Sequence, residues 1–567
     1  MGKKIVIVGG VAGGTAVAAR IRRLDETAQI TIYERDAHVS ISSCALPYYL
    51  SRTVSPASEL VLMTPAQFKA QYHVDVVVNH AVTAIDPAHR TVQVTNQLTQ
   101  ELSTDTYDEL FLATGAIPIR PSALAGSDAP QVFTLRNVAD VTTFDDYLQA
   151  HRVTDVAVIG GGAIGVETTE NLTKAGYRVT IIEQQAQVLA TTLDSDLAQL
   201  VHKQLYDQHV DLRLGATAQR ITPKTVELSD GTQVAAQAVF LALGVQPNTT
   251  LAQAAGIRLG TTGAIQVDQH YQTNQPHIYA VGDAIEVTNA LTRQSQRLSL
   301  ALPAQMEARR AADHLYGRPI RRRGVIGSQG LPVFDLRVAA TGLTERAATA
   351  AHLTYRSALV IPSDKVPLMP QAHHLYFKVL FAPTTGEILG AQAVGKSDVD
   401  RQINVVAALI QHHATVEDLA DLELVYQPTV SPVKSAVVMA GLVATNLLNG
   451  EYRQVDVRQV RQLVAAGATI IDVREPDEFA VGHLKGATNI PMSQFRDRLA
   501  EIPHDRPVYL HCATGKRSYN VTRALLSRGY PNVVNIAGSF DAICEVEFFH
   551  DQTTPRAPIV TAYHFDL

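Results

Sequence analysis

Three cysteines, Cys44, Cys512 and Cys544, carry the redox-capable sulfur of this 567-residue chain. Cys44 sits in "SISSCALPYYL" with no second cysteine near it, so it cannot close a local disulfide. Such a thiol cycles either with an external thiol, as a mixed disulfide or persulfide, or through sulfenic acid. Ser42 and Ser43 are placed to cap a helix beginning near Cys44, and a helix N-terminus is expected to lower the thiol pKa. Cys512, in "VYLHCATGKRS", ends an apolar run and opens the loop Cys-Ala-Thr-Gly-Lys-Arg ahead of a helix. Successive backbone N–H groups in such a loop form an anion nest. With Lys516 and Arg517 they stabilise a thiolate or a persulfide anion. Cys544 has no motif around it and reads as core. The cysteines are too far apart for metal-ligand spacing, so no metal is expected.

Two strand–turn–helix units are placed to serve these thiols. In the second, Gly160, Gly162 and Gly165 form a complete G-x-G-x-x-G between the strand Asp155–Ile159 and a helix over 162–174. A strand over 177–182 follows and leads to Glu183. The glycines permit a tight turn and close approach of a pyrophosphate, the helix N-terminus supplies a positive dipole, and the carboxylate accepts from ribose hydroxyls. Gln184 and Gln185 follow Glu183, with no arginine to meet a 2′-phosphate, which favours NADH over NADPH. The first unit has Gly9, Gly10, Gly13 and Gly14, with Val11 at the middle fingerprint position, a helix over 13–24, and Glu34 ending the next strand. Two such units in one chain indicate that one cofactor passes electrons to the other.

The whole chain is too long for one core, which implies three or four domains. The expected class is α/β, with an α+β segment over 325–443 and a compact α/β unit over 455–549. A formal charge of −6 with no basic stripe argues against nucleic acid or an anionic membrane as partner. No apolar run is long enough to span a bilayer, and the opening "MGKKIVIVGG" is too short to be a signal peptide. Sparse cysteines fit a reducing compartment, so the expected location is the cytoplasm and the expected partners are small molecules.

"YDELFLATGAIP" and "TNQPHIYAVGDA" resemble the flavin-dependent pyridine nucleotide-disulfide reductases, over residues 1–445. The resemblance implies an FAD domain split over 1–118 and 250–322, an NAD domain over 119–249, a dimerisation domain over 325–445 and a homodimer. It assigns Glu34, Arg35, Ala113, Thr114, Gly115, Asp283 and the backbone near Val82 to FAD, while "VFLALGVQPN", containing Gly244, closes the nicotinamide domain. Ala12 stands where the peroxidase and oxidase branch has a histidine that assists oxygen chemistry.

The Cys44 segment resembles the single-cysteine centre of coenzyme A-disulfide reductases and NAD(P)H-dependent persulfide reductases, "S-x-x-N-C-G-L-P-Y", with Ser43 for asparagine and Ala45 for glycine. That implies a coenzyme A site formed by Ser40, Ser43, Arg20 and Arg23, and a role for Tyr426, whose "YQPTVSP" matches a tyrosine reaching in from the other subunit. Further departures fall at Gln71, Tyr72 and around Met369. "IIDVREPDEFAVGHLKGATNIP" with the Cys512 loop resembles a rhodanese over 455–552, in which Asp472 and Arg474 brace the loop and Glu478 and His483 lie at its rim. The loop is shorter than the one a cysteine phosphatase places before its arginine. The combination implies reduction of a coenzyme A persulfide, a polysulfide or a related persulfide. The alternatives are coenzyme A-disulfide reduction, NADH oxidation, or a slow sulfur-carrying or redox-sensing role. Residues after His550 carry no readable motif.

Overall fold

The computed structural model describes residues 2–565. They form two compact units, one running to Ile182 and resuming over Ala216–Gly327, the other comprising Glu183–Gly215 and residues from Ser328 onward. In the first unit a parallel sheet has the order Ile278–Ala280, Glu109–Leu112, Lys4–Val8, Gln29–Tyr33, Asp75–Val77. Its central strands are buried along almost their whole length, as the unbroken apolar runs require of a sheet covered on both faces. The edge strand Ile278–Ala280 arrives some 165 residues after its neighbour, so the chain leaves this sheet, builds a second one, and returns.

The second sheet of this unit is also parallel and pairs Asp155–Ile159 with Arg178–Glu183 and Ala238–Leu241. The helix Ala12–Leu24 starts one residue earlier than expected and carries a buried arginine, Arg22, in its last turn. Arg22 donates to the carbonyls of Tyr72, Asp25, Glu26, Ala28 and His73 at 2.7–3.0 Å, satisfying acceptors that the helix end and the next loop leave open.

The second unit contains a five-stranded antiparallel sheet in the order Gln329–Val333, Leu336–Gly342, Ile388–Gly395, Leu375–Phe381, Arg356–Val360. Both central strands are buried at every residue, and one of those residues is a lysine. Lys378 is 1% exposed, and its Nζ lies 2.7 Å from Glu345, 2.8 Å from Asp196 and 3.2 Å from Asp194. Arg458 extends the cluster, reaching Glu345 at 2.9 Å and Ser195 at 3.1 Å. Burial alone would pull the Lys378 pKa down, but Asp196, Asp194 and Glu345 together hold it above the ordinary lysine value.

A second sheet of this unit is parallel, in the order Gln454–Val455, Val533–Ile536, Val508–His511, Thr469–Asp472, Thr488–Asn489. The helix Ser539–Thr553 follows it, with Cys544 fully buried. The uninterpreted tail is a strap. It pairs with residues 483–485 through Thr561 and Ile559, and sets the Phe565 ring 5.1 Å from Phe548 and 4.2 Å from the Lys203 ammonium.

Candidate functional site

Both glycine turns are built alike. A Cβ on Gly14 would lie 1.9 Å from the Gly9 carbonyl oxygen, and one on Gly165 would lie 2.0 Å from that of Gly160. Each helix therefore starts tight against its own strand end, with its N-terminus at the turn. At Gly162 a Cβ would meet nothing within 4 Å, so the glycine keeps open space in front of the helix Ala163–Lys174, where a pyrophosphate fits. Glu183 ends its strand, and its carboxylate accepts from the Gln185 N–H at 2.7 Å. Gly244 precedes the short strand Val245–Pro247, which pairs with Ala116–Pro118.

Around the first turn, Glu34 is buried and accepts from the N–H groups of Gly10 at 2.7 Å and Asp36 at 3.0 Å. Burial raises its pKa, and the two N–H donors oppose that. Gly13 lies close to Ala113 and Val281, Arg35 is exposed, and Val82 pairs with Val94 on a neighbouring antiparallel ribbon. The Thr114 hydroxyl donates to the Asn248 carbonyl at 2.7 Å, and the Asn248 N–H donates to the Gly115 carbonyl at 2.9 Å. Asp283 sits in a 3-10 turn, its pKa raised by burial. These residues fit a flavin dinucleotide: a glycine turn at a helix start, a ribose acceptor at the strand end and a half-buried carboxylate just after the returning strand.

Two side chains of this site carried no legible motif. Arg136 donates to the Thr114 carbonyl at 3.3 Å, and burial lowers its pKa. Glu167, two residues beyond Gly165, approaches the Tyr48 hydroxyl at 3.5 Å, and burial raises its pKa to about 7. Its position on the exit side of the fingerprint was the signal available; Arg136 lies at a strand–helix junction with none.

Cys44 is brought to this site by backbone pairing. The Ser40 N–H donates to the Gly10 carbonyl at 2.7 Å, and Ser42 and Leu62 pair with Leu60 and Ser40. The helix Leu46–Leu50 then packs on Ala163–Lys174, with the Ser51 hydroxyl donating to Asn171 Oδ1 at 2.7 Å. The expected helix-lowered thiol is corrected here. Ser43–Ala45 is a single 3-10 turn, Ser42 makes no side-chain cap, and Ser43 is exposed. The Cys44 thiol is accessible, yet protein packed around it raises its pKa, and the charges of Glu167 and Asp283 push the same way. Glu167→Gln should move the alkylation profile of Cys44 to lower pH, giving about threefold faster iodoacetamide labelling near pH 8 in the NADH-reduced enzyme. An unshifted profile would remove Glu167 from the thiol's surroundings.

Of the residues expected to meet coenzyme A, Arg23 is exposed, but Arg20 is engaged, donating from Nε to Asp313 at 2.8 Å. In the second unit Tyr426 is 49% exposed in a stretch that also shows Val425, Val430 and Val433.

The Cys512 site lies in the second unit at the end of Val508–His511. Its Sγ accepts from the Gly515 N–H at 3.1 Å and lies 3.6 Å from the Ser518 hydroxyl. Gly515 has φ +105°, a conformation that a side chain would strain, and it precedes the helix Lys516–Leu526. Below the loop, Arg474 holds Asp472 at 2.7 Å, the Gly482 carbonyl at 2.7 Å and the Phe540 ring face at 4.0 Å. His483 donates from Nδ1 to the Phe479 carbonyl, 2.8 Å away, and Arg517 is paired with Glu478. His511, buried beside Cys512, was missed; its Nε2 lies 3.7 Å from Asp472 Oδ2.

A pair of dinucleotide turns flanking one accessible thiol defines a class, and the family models agree: residues 3–308 match the pyridine nucleotide-disulphide oxidoreductases and 329–437 their dimerisation domain. The chain belongs to that family and carries a rhodanese-like domain over 456–545. It is an FAD-dependent oxidoreductase that also binds a nicotinamide dinucleotide. Among solved structures it is similar to reduced Bacillus anthracis CoADR-RHD, at TM-score 0.93 and 37% identity, covering 96% of this chain and 98% of that one. It is also similar to a NAD-dependent persulfide reductase from A. fulgidus, at TM-score 0.90 and 30% identity, covering 95% and 99%. An "NAD(P)H sulfur oxidoreductase (CoA-dependent)" from Pyrococcus abyssi is 32% identical over 440 residues, 77% of this chain and 97% of its own length. No helix among the described residues is long and apolar enough to cross a membrane.

Proposed function

We propose that the protein reduces low-molecular-weight persulfides, coenzyme A persulfide among them, with electrons from NADH, and that Cys512 brings sulfane sulfur to the reaction. The observation that carries this reading is the pairing in one chain of a lone accessible thiol beside the flavin cradle with a second, buried thiol, Cys512, whose Sγ accepts from the Gly515 N–H at the start of a helix. When bound, FAD accepts hydride from the nicotinamide and returns the electron pair to sulfur. Cys44 thiolate attacks the inner sulfur of the persulfide, the S–S bond breaks, and sulfide leaves with its electron pair. The resulting mixed disulfide is then reduced, restoring the Cys44 thiolate and releasing the thiol with one proton. Ser40 pairing to the Gly10 carbonyl fixes the distance between the thiol segment and the dinucleotide turn. Glu183, with two glutamines after it, supports NADH, and the exposed apolar stretch around Tyr426 supports a homodimer.

Cys512→Ser tests the relay. NADH oxidation with a polysulfide donor plus coenzyme A should fall roughly tenfold or more, while preformed coenzyme A persulfide is still reduced at a rate near that of the unaltered enzyme. Equal rates with both would show that Cys512 carries no sulfur to the reductase.

A further inference from the structure

The helix Pro476–Val481 brings Glu478 to the mouth of the Cys512 loop. Its carboxylate takes both terminal nitrogens of Arg517, Nη1 donating to Oε2 and Nη2 to Oε1, each at 2.6 Å. This two-pronged geometry is the one by which a guanidinium holds a carboxylate, sulfonate or phosphate on a ligand. Here the fork is occupied by the protein itself. Glu478 is fixed in turn: its Oε2 accepts from the Glu475 N–H at 3.0 Å, one half of the reciprocal cap that starts this helix. The carboxylate cannot swing away from Arg517 without disturbing that cap. Lys516 points to solvent, so Glu478 cancels one of the two positive charges that the loop presents beside Cys512.

We propose that the Glu478–Arg517 pair selects the sulfur donor that loads Cys512. It disfavours donors that expel an oxyanion needing a free guanidinium, such as thiosulfate, and favours organic persulfides, which expel a thiolate. The inference rests on the reading of Cys512 as a sulfur carrier. In either transfer the Cys512 thiolate attacks the sulfane sulfur and the donor's S–S bond breaks. The electron pair of that bond leaves on sulfite or on the organic thiolate, and Cys512 gains one sulfur atom as a persulfide anion. Charge balances on both routes, and neither needs an oxidant or a reductant. What differs is the leaving group: sulfite is a dianion with planar pairs of oxygens that an unoccupied guanidinium fork would hold.

The test measures initial rates of Cys512 persulfide formation in the full-length holoenzyme, by the mass gain of the Cys512 peptide, with thiosulfate and with glutathione persulfide. Glu478→Gln keeps an oxygen for the Glu475 N–H but gives up the charge on Arg517. The thiosulfate-to-persulfide rate ratio should rise roughly five- to tenfold, the scale of one added charge contact at partly screened distance. Glu478→Asp, which keeps the charge, should stay within about twofold of the starting ratio. In an Arg517→Met background the effect of Glu478→Gln should vanish. An unchanged ratio in Glu478→Gln with normal Cys512 loading overturns the inference, as does a rise that persists without Arg517. If neither donor loads Cys512 in the unaltered enzyme, the carrier reading itself fails.

Discussion

Replacing Cys44 with serine should lower steady-state NADH oxidation with coenzyme A persulfide roughly 10³-fold or more, the scale on which loss of an enzyme's nucleophile acts. Serine keeps the size of the side chain but cannot form the mixed disulfide on which the electron pair is delivered. Stability should change by less than about 0.5 kcal/mol, because the thiol is accessible. The flavin should still be bleached by one equivalent of NADH, since both glycine turns, Glu34 and Asp283 are untouched. Anaerobic stopped-flow absorbance separates the two half-reactions: normal flavin reduction with no persulfide-dependent reoxidation is the expected pattern. Full turnover in Cys44→Ser would place the sulfur chemistry elsewhere.

The second large effect concerns the buried charges of the second unit. Lys378→Met should destabilise that unit by about 3–5 kcal/mol, because it leaves Asp194, Asp196 and Glu345 buried around a vacated ammonium. Arg458 is already engaged with Glu345, Asp456 and the Ser195 hydroxyl, so it cannot replace it. The apparent melting midpoint should drop by roughly 5–10 °C. Adding Asp196→Asn to Lys378→Met should recover part of the loss, since it removes one of the stranded charges. A midpoint within about 1 °C of the parent would mean that the cluster is solvated and of little consequence.

Much of the site was legible because its chemistry depends on local spacing. The turns at Gly9–Gly14 and Gly160–Gly165, the acids that follow each second strand, and the Cys512 loop each occupy one short stretch of chain, so their order in sequence is their geometry. Residues brought in by topology were not legible. Arg136 reaches Thr114 from the start of another element, and Glu307 accepts from the Gly282 N–H at 2.9 Å from a helix packed over the turn. The Cys44 pKa failed for a related reason. The serines suggested a capped helix at Cys44, but the segment is one 3-10 turn with no serine cap; burial raises the thiol pKa, and Glu167 and Asp283, from distant segments, add to it. Lys378 shows the same limit within a strand, where "LYFKVLF" gives no sign that three carboxylates wait behind the sheet. Arg20 and Arg23 share a helix face in the sequence, yet only the structure shows that Asp313 already holds one of them.

The central claim is that Cys44 takes its second sulfur from the substrate. It is tested most directly by mixing the oxidised holoenzyme anaerobically with coenzyme A persulfide in the absence of NADH, quenching with acid, and measuring the mass of the Cys44 peptide. The account predicts a coenzyme A mixed disulfide on Cys44, formed with release of one equivalent of sulfide and discharged on adding NADH. An unmodified Cys44 in an enzyme that nonetheless turns over coenzyme A persulfide would contradict it.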